Sequence, residues 1–122
     1  FKLIAIVMGE QNLENIEALA KGLAETLKDK KALIVASSDL SHFYHYDKAT
    51  LLDQVVVENI KNFDEDKLYR DLQAERCEMC GGGPVVTAMK ASRIPACSRR
   101  HNVTRINRPE PHVDSSAVHR PI

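Results

Sequence analysis

Residues 32–42 read ALIVASSDLSH, an apolar run that opens directly into small polar residues, a carboxylate and an imidazole. The apolar part, 32–36, is too short and too β-branched for an independent helix, so it predicts a buried strand. Open α/β sheets place their active sites just past the carboxyl ends of strands. Asp39 and His42 are therefore the first candidate catalytic residues.

A second apolar run, KLIAIVM at 2–8, has the same character, and residues 12–28 between the two runs carry apolar side chains at helical spacing. Two strands joined by one helix form a parallel pair, and because neither strand alternates, both faces should be covered. The sequence therefore predicts an α/β fold, a fragment of a mixed or parallel sheet flanked by helices. The open edges of such a sheet predict self-association.

Capping residues mark the predicted helix starts. Asn12 precedes the first helix, Asp47 a second that extends to Lys61, and Asp64 a third. Pro84 suits the first position of a fourth helix, since proline needs no hydrogen-bond partner for its nitrogen there. We therefore expect four helices besides the two strands.

Composition narrows the class of protein. The chain has 122 residues, 43% hydrophobic and 28% charged, which is ordinary for one globular domain. No apolar run approaches the ~20 residues of a membrane span. Three cysteines without a secretory signal indicate a reducing compartment, so we expect a cytoplasmic protein. The chain starts at Phe1 inside an apolar strand-like run, which suggests the interior of a longer sequence.

The charge changes abruptly near residue 90. Residues 1–90 hold nine Lys and two Arg against fifteen acids, whereas residues 91–122 hold six Arg, no Lys and two acids. Residues 91–122 also contain four prolines and show neither helical nor strand periodicity. We therefore divide the chain into a domain at 1–92 and an irregular basic tail at 93–122. Three explanations of this tail stay open: out-of-frame coding, an artificial or disordered end, and a basic tail that binds an anionic partner. Residues 1–92 lack a basic patch with interleaved aromatics, which argues against nucleic-acid binding.

The second chemical motif is CEMCGGGP at 77–84. A cysteine just before a helix N-terminus lies in a positive potential that favours the thiolate, so Cys80 is a candidate metal ligand or nucleophile. A small buried structural cysteine is the alternative. A zinc ribbon lacks a second ligand pair, a thioredoxin-like pair would need both cysteines at a helix start, and the glycine spacing matches no phosphate-binding loop.

Three motifs in order, IVMGEQ at 6–11, VASSDLSH at 35–42 and MCGGGPV at 79–85, closely resemble the C-terminal half of the Memo family, also called AmmeMemoRadiSam system protein B. The resemblance covers residues 2–92. It implies a fold like that of class III extradiol dioxygenases, with a non-haem metal pocket built from histidines and a cysteine. A radical SAM protein of the same system is the partner that it implies.

Carried over by position, the resemblance implies that Cys80 is a metal ligand, that His42 is the acid/base residue and that Asp39 lines the pocket beside it. Iron or copper is the implied metal of the intact family. Chemically, an imidazole can relay a proton near neutral pH, and an adjacent carboxylate can orient it. A strand-end histidine that only hydrogen-bonds a loop is the alternative for His42.

The sequence also departs from the family. Two metal-binding histidines of the family lie in motifs resembling Pro-His-Ala-Gly and Gly-Pro-x-His, and neither motif occurs in these 122 residues. A three-ligand iron site cannot assemble without them, so we expect an incomplete, inactive Memo-like fragment with no tightly bound metal. The alternative is a non-catalytic binding protein that uses the same cleft for peptides or phosphopeptides, as the family's animal members are thought to do. The substrate cannot be deduced from these residues.

Overall fold

The structure is a computed structural model that describes residues 1–95. Within that range it contains four α-helices: α1 (Leu13–Thr26), α2 (Tyr46–Lys61), α3 (Glu65–Gln73) and α4 (Gly82–Arg93). Helix α4 packs against both α1 and α3, and α2 packs against α3. Of the predicted tail, only residues 93–95 are described, and Arg93 is the last residue of α4.

Two of the predicted N-caps are confirmed. The Asn12 side chain accepts a 2.8 Å hydrogen bond from the backbone N–H of Asn15, and the Asp64 side chain accepts one of 2.9 Å from Lys67. Helix α2 begins earlier than predicted, with His45 at the N-cap and Asp47 in the first turn. Helix α4 also begins earlier, at Gly82, so Pro84 stands third in it.

The core lies between the helices and is small. Its largest fully buried side chains come from four different helices, one each: Ile16, Val56, Leu68 and Val86. Cys77, Met79 and Met89 complete the buried cluster, so the segment leading into α4 belongs to the core. The loop that carries Cys80 is therefore attached to the best-packed part of the protein.

A buried polar network joins α2, α3 and the turn after α3. The carboxylate of Asp71, 2% exposed, accepts hydrogen bonds from Asn59 at 2.8 Å, Lys67 at 2.7 Å and Arg76 at 3.1 Å. Hydrogen bonding from Lys67 is the main cause that lowers the pKa of Asp71 to about 2, with Asn59 and Arg76 adding to it against the cost of burial. The network fixes the turn from which Cys77 and Cys80 follow.

The prediction of an α/β fold, and with it a dioxygenase-like sheet, is wrong for the described residues. Neither 2–8 nor 32–36 forms a strand in residues 1–95. An apolar run without alternation suits a strand covered on both faces, yet Leu3 and Leu33 are 84% and 81% exposed. Neither segment makes a backbone–backbone hydrogen bond to another described residue. The part of the chain that the structure describes therefore offers no sheet edge for self-association.

Candidate functional site

Two loops meet at the end of the apolar run that ends at residue 36. The backbone N–H of Cys80 donates to the carbonyl of Asp39 at 3.2 Å, and the backbone N–H of Asp39 donates to the sulfur of Cys80, also at 3.2 Å. The hydroxyl of Ser38 lies 3.8 Å from the same sulfur. The structure thus brings together two of the three residues that the sequence singled out.

Ser38 and Gln11 fix the backbone around Cys80. The N–H of Gly81 donates to Ser38 Oγ at 2.8 Å. The Gln11 side-chain amide donates to the carbonyl of Cys80 at 3.0 Å and accepts from the N–H of Gly83 at 2.7 Å. The sequence did not point to a role for Gln11 or Ser38, although both lie inside the motifs IVMGEQ and VASSDLSH.

Asp39 and His42 form a pair. His42 Nε2 lies 3.3 Å from Asp39 Oδ2, and the two side chains are 42% and 80% exposed. Ser41 between them is anchored to α2, because its N–H and hydroxyl donate to Asp53 at 3.0 and 2.7 Å. A carboxylate at this distance can hold one ring nitrogen and leave the other free for proton exchange. Phe43 follows with a φ of 63°, which turns the chain sharply after His42.

The two cysteines of the CEMC motif occupy different environments. Cys80 is exposed, whereas Cys77 is buried. Burial is the main cause that raises the pKa of Cys77 to about 11. Cys77 thus belongs to the core, and Cys80 is the exposed cysteine of the motif.

A cleft of about 580 Å³ opens beside this loop. Gln11, Gly82 and Gly83 form the side that it shares with the loop, and Tyr44, Lys48 and Glu78 line another part. A hydrogen bond from the phenol of Tyr44 to Glu78 raises the pKa of Tyr44. The ammonium of Lys48 lies 4.3 Å from the centre of the Tyr44 ring. Because aromatic residues at exposed loop positions have no periodic pattern, the sequence did not point to Tyr44.

The donor set of Cys80, His42 and Asp39 does not form a complete metal site. Among residues 1–95, no three His, Cys, Asp or Glu side chains are close enough together to hold a metal ion. A defined transition-metal geometry needs at least that many protein ligands. These residues therefore do not fit a resident metal by themselves.

Comparison with known proteins identifies the family. A family model described as Memo-like protein matches residues 1–116. The chain belongs to the Memo family. Relatives include MEMO1 family proteins of Methanobrevibacter smithii, 38% identical over 96 residues, of Methanosarcina mazei, 34% identical over 101, and of Nitrosopumilus maritimus, 31% identical over 93. The predicted Memo resemblance is thus confirmed.

The Memo chain described here spans about a third of the length of these relatives. The alignments cover 77%, 81% and 76% of this chain, but only 34%, 38% and 34% of the three relatives. No solved structure matches it. Within residues 1–95, none of the helices has the length and apolar character needed to cross a bilayer.

Proposed function

We propose that this chain supplies one wall of a Memo-family metal pocket, related in chemistry to the non-haem metal-dependent class III extradiol dioxygenases. The observation that carries the proposal is the reciprocal pair of hydrogen bonds between Cys80 and Asp39. These bonds hold the exposed Cys80 thiol beside Asp39, whose carboxylate contacts His42. Sulfur, imidazole and carboxylate thus come from one surface of the protein.

Each side chain has a distinct role in this proposal. Cys80 is the metal ligand, because thiolate is a strong ligand for iron, copper and zinc. His42 exchanges protons with the bound substrate. In the tautomer that protonates Nε2, the ring donates to Asp39 and presents Nδ1 as the acceptor. Asp39 orients the ring, as carboxylates do for catalytic histidines.

The chain alone is incomplete for this chemistry. One thiolate leaves most coordination positions of iron unfilled, and the described residues bring no three ligating side chains together. Because the chain spans about a third of its relatives, we infer that the missing ligands belong to the part that it does not match. Iron or copper is the metal proposed for the completed pocket.

Recognition of a phosphopeptide is the second proposal, and the geometry favours it less. The glycine run before α4 would be the natural phosphate-binding element, since backbone N–H groups at a helix start bind anions. However, the N–H groups of Gly81 and Gly83 already donate to Ser38 and Gln11. The adjoining cleft is lined by Glu75 and Glu78 and by a single lysine, Lys48, so its charge is unfavourable for phosphate.

Titration with Co(II), a spectroscopic substitute for zinc, tests the proposed roles. We expect weak, saturable binding with a sulfur-to-metal charge-transfer band. Cys80→Ser should abolish the band, and His42→Ala should keep it, because His42 exchanges protons with the substrate in this proposal and does not bind the metal. His45→Ala is the matched control, because His45 is exposed and its side chain makes no capping hydrogen bond. A band that survives Cys80→Ser would refute the proposal.

A further inference from the structure

Asp53 is a buried carboxylate on the face of α2 that packs into the core. It is 8% exposed and lies three residues before the fully buried Val56 and six before the buried Asn59. A polar or charged group in such a position costs free energy unless hydrogen bonds satisfy it. Asn59 is satisfied in the network around Asp71. Asp53 instead reaches the loop that carries the candidate site.

Both donors of Ser41 converge on one oxygen of Asp53. The N–H of Ser41 donates to Asp53 Oδ1 at 3.0 Å, and the hydroxyl of Ser41 donates to the same atom at 2.7 Å. Hydrogen bonds to a charged acceptor are among the strong ones. They join the loop to α2 across 12 positions of sequence, so Ser41 is fixed to the helix through its backbone and its side chain together.

The loop at 39–42 has two inner residues and two outer ones. Leu40 packs against the buried cluster and Ser41 bonds to Asp53. Asp39 and His42, at the two ends, have side chains that are 80% and 42% exposed. An exposed ion pair holds its own geometry weakly, because water competes for both partners. The 3.3 Å approach of His42 Nε2 to Asp39 Oδ2 therefore depends on the anchored backbone between them.

We infer that Asp53 is a positioning residue of the candidate site, which acts through Ser41 to hold the ring of His42 against Asp39. The inference rests on the proposed function in one respect, the role of His42 in proton exchange. Proton transfer needs its partners within hydrogen-bond reach, so a loop released from α2 would misplace the ring. Asp53 thus supplies from a rigid helix the geometry that the exposed pair cannot maintain alone.

A merely structural role for Asp53 is the competing interpretation, and Asn59 provides the comparison. Asn59 is buried on the same face of α2, and its side chain bonds to Asp71 and Lys67 of α3. Its loss should lower the free energy of unfolding without moving His42. Loss of Asp53 should move His42, because its hydrogen bonds end in the loop between Asp39 and His42.

NMR spectroscopy of the full 122-residue chain, in buffer with EDTA, tests the inference. In the wild type we expect nuclear Overhauser contacts between the ring protons of His42 and the β-protons of Asp39. Asp53→Ala should remove these contacts and should make the Ser41 amide exchange with solvent about tenfold faster or more. Ser41→Ala, which keeps the N–H donor and loses the hydroxyl, should weaken the contacts without removing them.

Three further variants separate positioning from stability. Asp53→Asn should retain the contacts, because one carbonyl oxygen can accept both of the bonds that reach Oδ1. Asn59→Ala should lower stability and leave the contacts in place. Gln54→Ala should change neither, since Gln54 is exposed beside Asp53 on α2 and bonds to Glu58. Circular dichroism shows whether each variant keeps its helices.

The inference fails if Asp53→Ala leaves the contacts intact, if Asp53→Asn loses them as Asp53→Ala does, or if Asn59→Ala removes them too. If Asp53→Ala does not fold, Ser41→Ala decides, and contacts of wild-type strength in that variant overturn the inference. Because no metal is present, any of these failures leaves the Co(II) result on Cys80 unchanged. A Co(II) band that survives Cys80→Ser would overturn the proposed function and leave the contacts between Asp39 and His42 as they are.

Discussion

Two cysteines three positions apart differ in burial and in their hydrogen-bond contacts. Cys77 packs among the core methionines, and its pKa is raised to about 11, chiefly by burial. Cys80 is exposed, and its sulfur accepts a hydrogen bond from the backbone of Asp39. Cys77 lies before the turn into α4 and packs into the core. Cys80 lies three residues later, where that turn contacts the loop of Asp39.

This contrast predicts selective alkylation. With iodoacetamide at pH 8, we expect Cys80 to react while Cys77 stays unmodified, since a thiol of pKa about 11 is only about one part in a thousand thiolate at that pH. Fragmentation mass spectrometry of the peptide spanning 77–90 locates the adduct. Adding denaturant should make Cys77 reactive. Equal rates for both cysteines in the native chain would show that the assigned burial is wrong.

The buried carboxylate of Asp71 predicts a pH dependence of stability. Its pKa is lowered to about 2 in the folded chain from an ordinary value of 3.8. The unfolded state therefore binds the proton more readily, so Asp71 stabilises the fold above pH 3.8 and that contribution, about 2 kcal/mol, is lost as the pH falls from 3.8 towards 2. Asp71→Asn should lower the free energy of unfolding at pH 7, and its difference from the wild type should shrink over that range.

Denaturant titrations at several pH values measure this difference. Glu25→Gln, which changes an exposed acid on α1, is the control and should stay within about 0.5 kcal/mol of the wild type throughout. A difference for Asp71→Asn that does not change with pH would contradict the assignment. The bonds from Asn59 and Arg76 to Asp71 could not be predicted from sequence, because they join residues 12 and 5 positions apart through tertiary packing.

At the scale of elements, the sequence predicted four helices that form and two strands that do not form within residues 1–95. Apolar spacing and capping residues such as Asn12 and Asp64 are local signals, and they located helix starts well. The run at 32–36 was assigned to a strand because apolar residues demand burial, but burial depends on what packs against them. Among residues 1–95 nothing covers Leu33 or Val35. Local pattern cannot supply that information.

The glycine run at 81–83 connects the loop of Cys80 to the loop of Asp39. We predict that a substitution of Gly81 destabilises the fold. A Cβ at residue 81 would lie 2.5 Å from the carbonyl oxygen of Ser37 and 2.7 Å from Ser38 Cβ. Because backbone must move to relieve this overlap, Gly81→Ala should destabilise the fold by about 1–3 kcal/mol. It should also separate Cys80 from Asp39, which a shift in the Asp39 amide resonance would report.

Gly22→Ala is the matched control for this prediction. Gly22 lies within α1 and has open space where its Cβ would be, so alanine should stabilise the helix by about 0.5–1 kcal/mol. Unfolding free energies of the two variants give the comparison. If Gly81→Ala is as stable as the wild type and leaves the Asp39 resonance in place, the close packing of the two loops is wrong.

At the scale of the whole molecule, residues 1–95 form a body of four helices, and the loop of Asp39 and His42 meets the loop of Cys80 on its surface. Asp39, His42 and Cys80 could be selected from sequence because each lies in a Memo-like motif. Their support by Gln11, Ser38 and Asp53 could not, because these contacts span up to 72 positions. The chain belongs to the Memo family and spans about a third of the length of the relatives that it matches.

The metal content of the purified 122-residue chain tests this account most directly. After dialysis against EDTA, the number of iron, copper and zinc atoms per chain is measured by inductively coupled plasma mass spectrometry. Because the described residues bring no three ligating side chains together, the account predicts well below one metal atom per chain, with Cys80→Ser no different. One firmly held iron or copper per chain, lost on Cys80→Ser, would show that the chain builds a complete pocket alone and would contradict the account.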